Sequence, residues 1–293
     1  MTVDAAGHIV VADSGNNALR RVSKAGEVST LAGNGDEGFA DGQGDAARFN
    51  CPSGVALANN DEIVVADWGN HAIRVVTPGG AVRTLAGNGE KGFEDGQGAA
   101  GRFRYPYGLA RDKDGSILVT DMGNDAVRRV TMEGAVSTVA GNGEKGYADG
   151  EGATARFNQP SDVVVDGHGT IVVADRDNHL LRKIVGRQVT TLAGGSEAGA
   201  ADGWQQAIDK TGKAYYVNHD TKEWSWEAPK FEDDPTAAGA RFNEPFRLAL
   251  DQGGRLLVAE AGRADTLRVV EASLAPRHCR SESTASCSRC VVM

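Results

Sequence analysis

Acidic and basic side chains recur in this chain at one constant spacing. The aspartates stand 54 residues apart, and an arginine follows each of them at the seventh position. They are Asp13, Asp67, Asp121 and Asp175, with Arg20, Arg74, Arg128 and Arg182. Such a set could present a ring of ligands, or it could pair within each unit and satisfy the amides of a turn. Because repeats reuse one internal scaffold, we predict a structural role for all of them.

The other acids and the histidines do not form a catalytic or metal-binding pattern in the sequence. The Asp-Gly-x-Gly loops at Asp41, Asp95 and Asp149 offer fewer carboxylates than the roughly six to eight oxygens that calcium takes, so we expect loop hydrogen bonds there. His71 and His179 occupy one repeat-equivalent turn position. We therefore assign no catalytic residue, no metal ligand and no cofactor, and we favour a protein that is not an enzyme.

Aromatic residues concentrate in an insertion that the constant spacing exposes. The fifth copy of the motif, which ends at Glu260, comes 85 residues after Asp175 rather than 54, so 31 residues are extra. Three of the chain's four tryptophans lie in this stretch, between residues 201 and 231. Turn residues such as Thr211-Gly212 divide it into three short segments, which predicts three short strands.

This insertion resembles a WW domain in the order and spacing of its aromatic residues. The match consists of Trp204, then Tyr215-Tyr216-Val217-Asn218-His219 with Thr221, then Trp226 and Pro229. The resemblance implies that Trp204, Tyr216 and Pro229 form the small core of the domain. It also implies that Tyr215 and Trp226 clasp a proline of a ligand that is already in the extended polyproline II form.

Three further positions match the pocket that, in the WW family, receives the tyrosine of Pro-Pro-x-Tyr ligands. They are Val217, His219 and Lys222, and the resemblance therefore implies a proline-rich peptide as partner. Trp224 departs from the family, because Ser or Thr usually stands at this place beside the proline groove. We include Trp224 among the peptide-binding residues, where its larger side chain would either block or reshape the groove.

The pattern of the remaining sequence predicts repeated antiparallel strands. In the unit from residue 45 to residue 98, four runs rich in β-branched residues are separated by Gly, Pro, Asn or Asp, which predicts four strands joined by hairpins. A single sheet of this kind cannot bury both of its faces. Packing such sheets around an axis solves that problem and favours a β-propeller.

These units resemble the NHL repeat. The pattern is carried in the second unit by Pro52-Ser53-Gly54-Val55-Ala56, then Val65-Ala66-Asp67, Asn70 and Ile73-Arg74. We therefore expect an all-β fold, an NHL-type propeller of about five blades with a three-stranded WW domain in an inter-blade loop. The first and last units are incomplete, so either five blades close the ring or the chain is part of a six-bladed ring.

The spacing and the two resemblances together divide the chain. We expect propeller repeats at 1–201, a WW domain at 202–231, a last repeat at 232–271 and a disordered tail at 272–293. The units of the first region are 1–44, 45–98, 99–152 and 153–201.

Charge and composition narrow the classes of partner. The formal charge is −9, and nucleic-acid binding needs a positive surface, so we expect no nucleic-acid partner. There is no leader sequence, no run of about 18 apolar residues and no disulfide framework, which indicates a cytoplasmic protein.

The ending Cys290-Val291-Val292-Met293 has the form of a farnesylation signal, and Cys287 offers a second acylation site. Attachment to the cytoplasmic face of a membrane through Cys290 is therefore open.

These observations predict a non-catalytic interaction scaffold. Its WW domain would bind proline-rich segments of the Pro-Pro-x-Tyr kind, and its propeller would bind another partner. The alternative is a propeller hydrolase or lyase with a metal in the central channel, since some six-bladed propellers related to this family are such enzymes. An RNA-binding propeller is a weaker third reading because the chain is acidic.

Overall fold

The computed structural model describes residues 1–194, 204–208, 214–218, 224–225, 242, 244–251, 253–261 and 267–270. Within these residues the chain forms strands and short 3-10 turns, without an α-helix. No helix in this part of the chain is long and apolar enough to cross a membrane. The insertion at 204–225 contributes a separate three-stranded sheet, and the other strands belong to five sheets.

The first two sheets come from residues 2–86. The first contains β1 (Thr2–Val3), β2 (Ile9–Asp13), β3 (Ala18–Val22) and β4 (Val28–Ala32). The second contains β5 (Gly42–Gln43), β6 (Pro52–Leu57), β7 (Ile63–Asp67), β8 (Ala72–Val76) and β9 (Ala81–Ala86). Its order is β5-β9-β8-β7-β6, so β6 and β5 are the two edges of the sheet.

The third and fourth sheets repeat the second. The third is formed by β10 (Gly96–Gln97), β11 (Pro106–Arg111), β12 (Ile117–Asp121), β13 (Ala126–Val130) and β14 (Ala135–Ala140). The fourth is formed by β15 (Gly150–Glu151), β16 (Pro160–Val165), β17 (Ile171–Asp175), β18 (Leu180–Val185) and β19 (Gln188–Gly194). A 3-10 turn joins the second and third full-length strands in each case, at Met122–Asn124 and Arg176–Asn178.

The insertion and the last sheet complete the described strands. The insertion has β20 (Trp204–Ile208), β21 (Ala214–Asn218) and β22 (Trp224–Ser225), paired in that order. The last sheet has β23 (Pro245–Leu250), β24 (Leu256–Glu260) and β25 (Leu267–Val270). All pairs between these strands are antiparallel.

The five sheets pack face to face around a common centre, as the blades of a β-propeller do. The strands β6, β11, β16 and β23 contact one another in sequence and form the inner wall. Four apolar cores lie between successive sheets, and each contains fully buried side chains such as Ile63, Ile73, Leu118 and Leu181. Each such side chain stabilises the fold by about 1.5–3 kcal/mol relative to exposure. The expectation of an all-β propeller is confirmed.

The prediction of four strands per unit was wrong for the three central sheets, which have five. The extra strand has two residues and comes from the glycine-rich loop that precedes the sheet, as when β5 pairs with β9. Gly42 and Gly150 adopt positive φ angles of 155° and 156°, which a side chain rarely tolerates. The loops before the second and fourth sheets therefore need glycine at the point where they turn onto the edge of the sheet.

Candidate functional site

The sheet of the insertion divides its residues between two faces. Trp204 pairs with Asn218, and Tyr216 pairs with Gln206 and Ser225, so these positions share one face. Val217 pairs with Gln205 and Trp224, and Tyr215 pairs with Ala207, which places these positions on the other face. Two positions assigned to the WW core thus lie on one face, and three assigned to peptide binding lie on the other.

Several residues assigned from the sequence lie outside the described part of the chain. In the insertion these are His219, Lys222, Trp226 and Pro229, and in the tail they are Cys287 and Cys290.

The recurring aspartates and arginines form closed networks inside the blades. The side chains of Asp67 and Arg74 are fully buried, and Oδ2 of Asp67 lies 2.7 Å from Nη1 of Arg74. The same Oδ2 accepts a hydrogen bond from Nδ2 of Asn70 at 2.9 Å, and Oδ1 accepts one from the backbone N–H of Asn50 at 2.8 Å. The third and fourth blades repeat these contacts with Asp121–Arg128 and Asp175–Arg182, both at 2.8 Å.

Each buried arginine also receives a clamp from the preceding loop. Nη2 of Arg74 donates to Oδ1 of Asp41 at 2.6 Å and to the carbonyl of Ala40 at 2.8 Å. The rings of Phe39 and Phe49 lie 4.9 Å and 5.4 Å from its guanidinium carbon. Burial acts to raise the pKa of Asp41, but hydrogen bonds from Arg74 and Thr84 outweigh it, and the pKa lies below its ordinary value. The Asp-Gly-x-Gly aspartates are therefore engaged in loop hydrogen bonds.

A second set of contacts fastens each blade to the next through the residue after the 3-10 turn. Four side-chain acceptors, all at positive φ, receive a backbone N–H from the following blade. The pairs are Asn17 Oδ1 with Cys51 at 2.8 Å, His71 Nδ1 with Tyr105 at 3.1 Å, Asp125 Oδ1 with Gln159 at 2.7 Å, and His179 Nδ1 with Glu244 at 3.0 Å. The neutral imidazole is the form that accepts this bond. We call these four contacts the turn latches.

The two histidine latches are electrostatically distinct from each other. Burial lowers the pKa of His71, and the positive charges of Lys91 and Arg104 lower it further. Burial also lowers the pKa of His179, although the nearby carboxylates of Glu244 and Asp177 act against that effect. The charges around His71 therefore act against protonation of its ring, whereas those around His179 favour protonation.

Polar side chains meet at the centre of the ring, where the inner strands begin. The position two residues after the first proline of each inner strand holds Gly54 and Gly108 in the second and third blades. A Cβ at Gly108 would lie 2.5 Å from Oδ1 of Asp162, which shows how closely these strands approach. The fourth and fifth blades place Asp162 and Arg247 at this position instead.

Asp162 and Arg247 form a mixed cluster with two aromatic rings. Oδ2 of Asp162 accepts the backbone N–H of Leu248 at 2.9 Å, and its Oδ1 lies 4.0 Å from Nη1 of Arg247. The guanidinium of Arg247 lies 4.7 Å from the ring centroid of Tyr107 and 5.4 Å from that of Phe246. Burial raises the pKa of Asp162 to about 6, against the opposing effects of Arg247 and two backbone hydrogen bonds. We call these four side chains the axial cluster.

The axial cluster is able to exchange a proton near neutral pH or to hold a polar ligand beside a fixed positive charge. The sequence assignment missed it, although a signal was present. Aligning the inner strands by their prolines gives Gly, Gly, Asp and Arg at one position, and the last two break the repeat. In the described part of the chain, no three His, Cys, Asp or Glu side chains lie close enough together to hold a metal ion.

Two families match parts of this sequence. The profile of the NHL repeat matches residues 49–76 and 157–184, and the profile of the WW domain matches residues 201–229. NHL repeat-containing protein 2 from Gallus gallus is 27% identical, over 92% of this chain and 46% of that protein. Protein SUPPRESSOR OF QUENCHING 1, chloroplastic, from Arabidopsis thaliana is 26% identical, over 87% of this chain and 23% of that protein. The chain thus spans less than half the length of these curated relatives.

A solved structure supports the architecture. A catalytically inactive virginiamycin B lyase from Staphylococcus aureus, in a complex with quinupristin, superposes with a TM-score of 0.51 at 13% identity. The superposition covers 88% of this chain and 75% of that chain. This likeness concerns the propeller fold.

Proposed function

We propose that this chain is a non-catalytic interaction scaffold whose WW domain binds proline-rich segments. The observation that carries the proposal is the match of the WW family to residues 201–229, which coincides with a separate three-stranded sheet. Peptide binding by this domain would use Tyr215, Val217 and Trp224 on one face of that sheet, together with His219, Lys222 and Trp226. The propeller would bind a second partner.

The proposal is tested with the full chain and a labelled Pro-Pro-x-Tyr peptide. We expect saturable binding by the unmodified chain and a loss of at least tenfold in affinity for Trp226→Ala, because a proline would lose one wall of its groove. Lys210→Gln, which changes the insertion outside the assigned groove, serves as the matched control and should bind normally. Equal binding by Trp226→Ala and the unmodified chain would contradict the proposed groove.

The assigned tyrosine pocket is tested with a second peptide. Replacing the tyrosine of the ligand by alanine should weaken binding to the unmodified chain and make little difference to His219→Ala. Equal binding of the two peptides to the unmodified chain would contradict the proposed preference for Pro-Pro-x-Tyr ligands. It would leave the proposed proline groove unaffected.

One observation favours the alternative of a propeller enzyme. The axial cluster contains Asp162, whose pKa is raised to about 6, close to Arg247 and Tyr107. Elemental analysis of the purified chain separates the two proposals. Stoichiometric zinc or calcium in the purified chain would support a metal-dependent hydrolase or lyase, whereas the scaffold proposal expects no stoichiometric metal.

We also propose that Cys290 is farnesylated and attaches the protein to the cytoplasmic face of a membrane. The support is the sequence Cys290-Val291-Val292-Met293, and Arg289 adds a positive charge beside it. Intact mass spectrometry of protein from eukaryotic cells should show the lipid and the loss of the last three residues. Retention of Val-Val-Met on an unmodified cysteine would refute the attachment. The Arabidopsis relative is named as chloroplastic, so the location of this protein needs a test of its own. Microscopy should place the tagged unmodified chain at a membrane and tagged Cys290→Ser away from it.

A further inference from the structure

Three residues that depart from the repeat lie at the junction between the second and third blades. They are Trp68, Arg104 and Tyr105. The repeat equivalents of Arg104 are all asparagines, namely Asn50, Asn158 and Asn243. Those of Tyr105 are Cys51, Gln159 and Glu244, and those of Trp68 are Ser14, Met122 and Arg176. Because the other units build the same scaffold without these three residues, the scaffold alone does not account for them.

The two aromatic side chains of this junction stack across the boundary between the blades. The ring centroids of Trp68 and Tyr105 lie 4.5 Å apart, with an angle of 29° between the ring planes. The ring of His71, whose Nδ1 accepts the N–H of Tyr105, meets the Tyr105 ring edge-on at 4.6 Å. Gly123 lies so close that a Cβ there would be 3.0 Å from Cδ2 of Tyr105. The stacked rings are therefore fixed in position, and both remain partly exposed.

Unpaired positive charges stand beside the stacked rings. Nζ of Lys91, from the loop before the third blade, lies 4.9 Å from the centroid of the Tyr105 ring. Lys91 and Arg104 are both exposed, and among the residues that the structure describes no carboxylate forms an ion pair with either of them. The neighbouring Arg102, by contrast, is paired with Glu90 at 3.0 Å. The two cations are therefore available to a ligand.

A third positive charge lies on the side of the fourth blade. Burial raises the pKa of Asp125, and the positive charges of Lys145 and Arg104 oppose that effect, so both cations lie near this carboxylate. Oδ1 of Asp125 is already engaged by the N–H of Gln159. We call the surface formed by the two rings and the two unpaired cations, Trp68, Lys91, Arg104 and Tyr105, the junction patch.

The junction patch combines two chemistries that one kind of ligand satisfies together. Partly exposed rings offer stacking or edge contacts to another aromatic side chain. Lysine and arginine form their strongest hydrogen bonds with carboxylates or phosphates. A nucleic acid strand also carries rings and anions, but it needs a row of positive charges along its backbone, and this chain has a formal charge of −9. An acidic peptide with an aromatic residue needs only the two cations beside the rings.

We propose that the junction patch is a docking site for a segment of another protein in which carboxylates flank an aromatic side chain. The aromatic side chain of the segment packs against Trp68 and Tyr105, and its carboxylates pair with Lys91 and Arg104. This inference rests on the proposed scaffold function only in giving the propeller a partner. The ligand contains no proline, so its binding succeeds or fails separately from that of the WW domain.

The test measures binding of a labelled peptide, Asp-Glu-Phe-Asp-Glu with blocked ends, to the full chain by fluorescence anisotropy. We expect saturable binding with a Kd of about 0.1 mM or tighter. Peptides with alanine in place of phenylalanine, or with asparagine and glutamine in place of the acids, should bind about tenfold more weakly or worse, because they lose the ring contact or the charged hydrogen bonds. The unlabelled peptide should also change the tryptophan emission of the chain, and this change should be absent in Trp68→Met.

Variants taken from the other units locate the site without disturbing the scaffold. Arg104→Asn and Lys91→Glu introduce the residues that stand at Asn50 and Glu37 in the second unit. Each should weaken binding about tenfold or more through the loss of one charged contact. Lys113→Glu makes the same change of charge at an exposed position in the hairpin between β11 and β12, and this control should bind normally.

Two kinds of result would overturn the proposal. One is the absence of saturable binding at about 1 mM peptide, or equal binding to the unmodified chain, Arg104→Asn and Lys91→Glu. The other is binding of a single-stranded RNA that is tighter than that of the peptide and is lost in Arg104→Asn, which would make the junction patch a nucleic-acid site.

Discussion

Replacing His71 by asparagine should remove a pH-dependent weakness from the junction between the second and third blades. In the folded chain, Nδ1 of His71 accepts the backbone N–H of Tyr105 at 3.1 Å, which only the neutral ring can do. Asparagine already performs this task in the first blade, where Asn17 accepts from Cys51 at 2.8 Å. The φ of 53° at position 71 is also one that asparagine adopts more readily than histidine does.

The magnitude follows from linkage between protonation and folding. Burial, Lys91 and Arg104 lower the pKa of His71 in the folded state from the ordinary value of 6.5. The unfolded chain therefore binds the proton more readily, so this residue lowers stability as pH falls below about 6.5. If the folded ring stays neutral, the loss between pH 7.5 and pH 5 is at most about 2 kcal/mol. With a urea slope of about 3 kcal/mol/M, this loss moves the unfolding midpoint by about 0.7 M.

The assay is urea unfolding of the unmodified chain and of His71→Asn at both pH values. At pH 7.5 the two midpoints should lie close together, and at pH 5 the variant should be the more stable. His168→Asn is the matched control, because His168 is exposed in a hairpin turn, and it should follow the unmodified chain. If His71→Asn loses as much stability between pH 7.5 and pH 5 as the unmodified chain, the assignment of this pH dependence to the latch is incorrect.

Three further substitutions test the blade interior and the axial cluster. Arg128→Met leaves the buried carboxylate of its partner uncompensated and should cost about 3–5 kcal/mol in urea unfolding, whereas Arg20→Met, at a partly exposed pair, should cost about 1 kcal/mol or less. For Asp162 the folded pKa of about 6 lies above the unfolded value of 3.8, so its contribution to stability is lost as pH rises through 6. Between pH 4 and pH 7, the free energy of unfolding of the unmodified chain should therefore fall by roughly 2 kcal/mol relative to that of Asp162→Asn. Urea unfolding at the two pH values measures this difference. Gly108→Ala should lower the thermal midpoint, at a cost of about 1–3 kcal/mol, because its Cβ would meet Asp162 at 2.5 Å; Gly167→Ala, with open space around it, should not.

The repeat period and the strands were predictable because they depend on local pattern. The 54-residue spacing of the aspartates, the β-branched runs and the Gly and Asn turns all act over short distances in the chain. The five-stranded sheets were not predicted, because β10 belongs by sequence to one repeat and by pairing to the next. A strand of only two residues, Gly96 and Gln97, carries no detectable pattern of its own.

The contacts of the candidate site were harder to predict from the sequence, because they join residues of different blades. The sequence comparison placed His71 and His179 in one turn position, but the acceptor role appears only when residue 105 or residue 244 of the next blade lies beside it. The contact of Arg247 with Tyr107 joins the fifth blade to the third and depends on how tightly the inner strands converge. No pattern of residues in the sequence specifies the distance between these inner strands.

Two kinds of contact, the loop clamps and the turn latches, join segments that follow one another along the chain. The loop before each sheet clamps the arginine of that sheet, as Asp41 does for Arg74, and each turn latch accepts an amide from the blade that follows. The second, third and fourth blades are therefore each completed by the loop that precedes them, through the pairs of Asp41 with Arg74, Asp95 with Arg128 and Asp149 with Arg182. The insertion lies in a connection of this same kind, between β19 and β23. A peptide bound to the insertion, as proposed, would therefore lie in the connection that leads into the fifth blade.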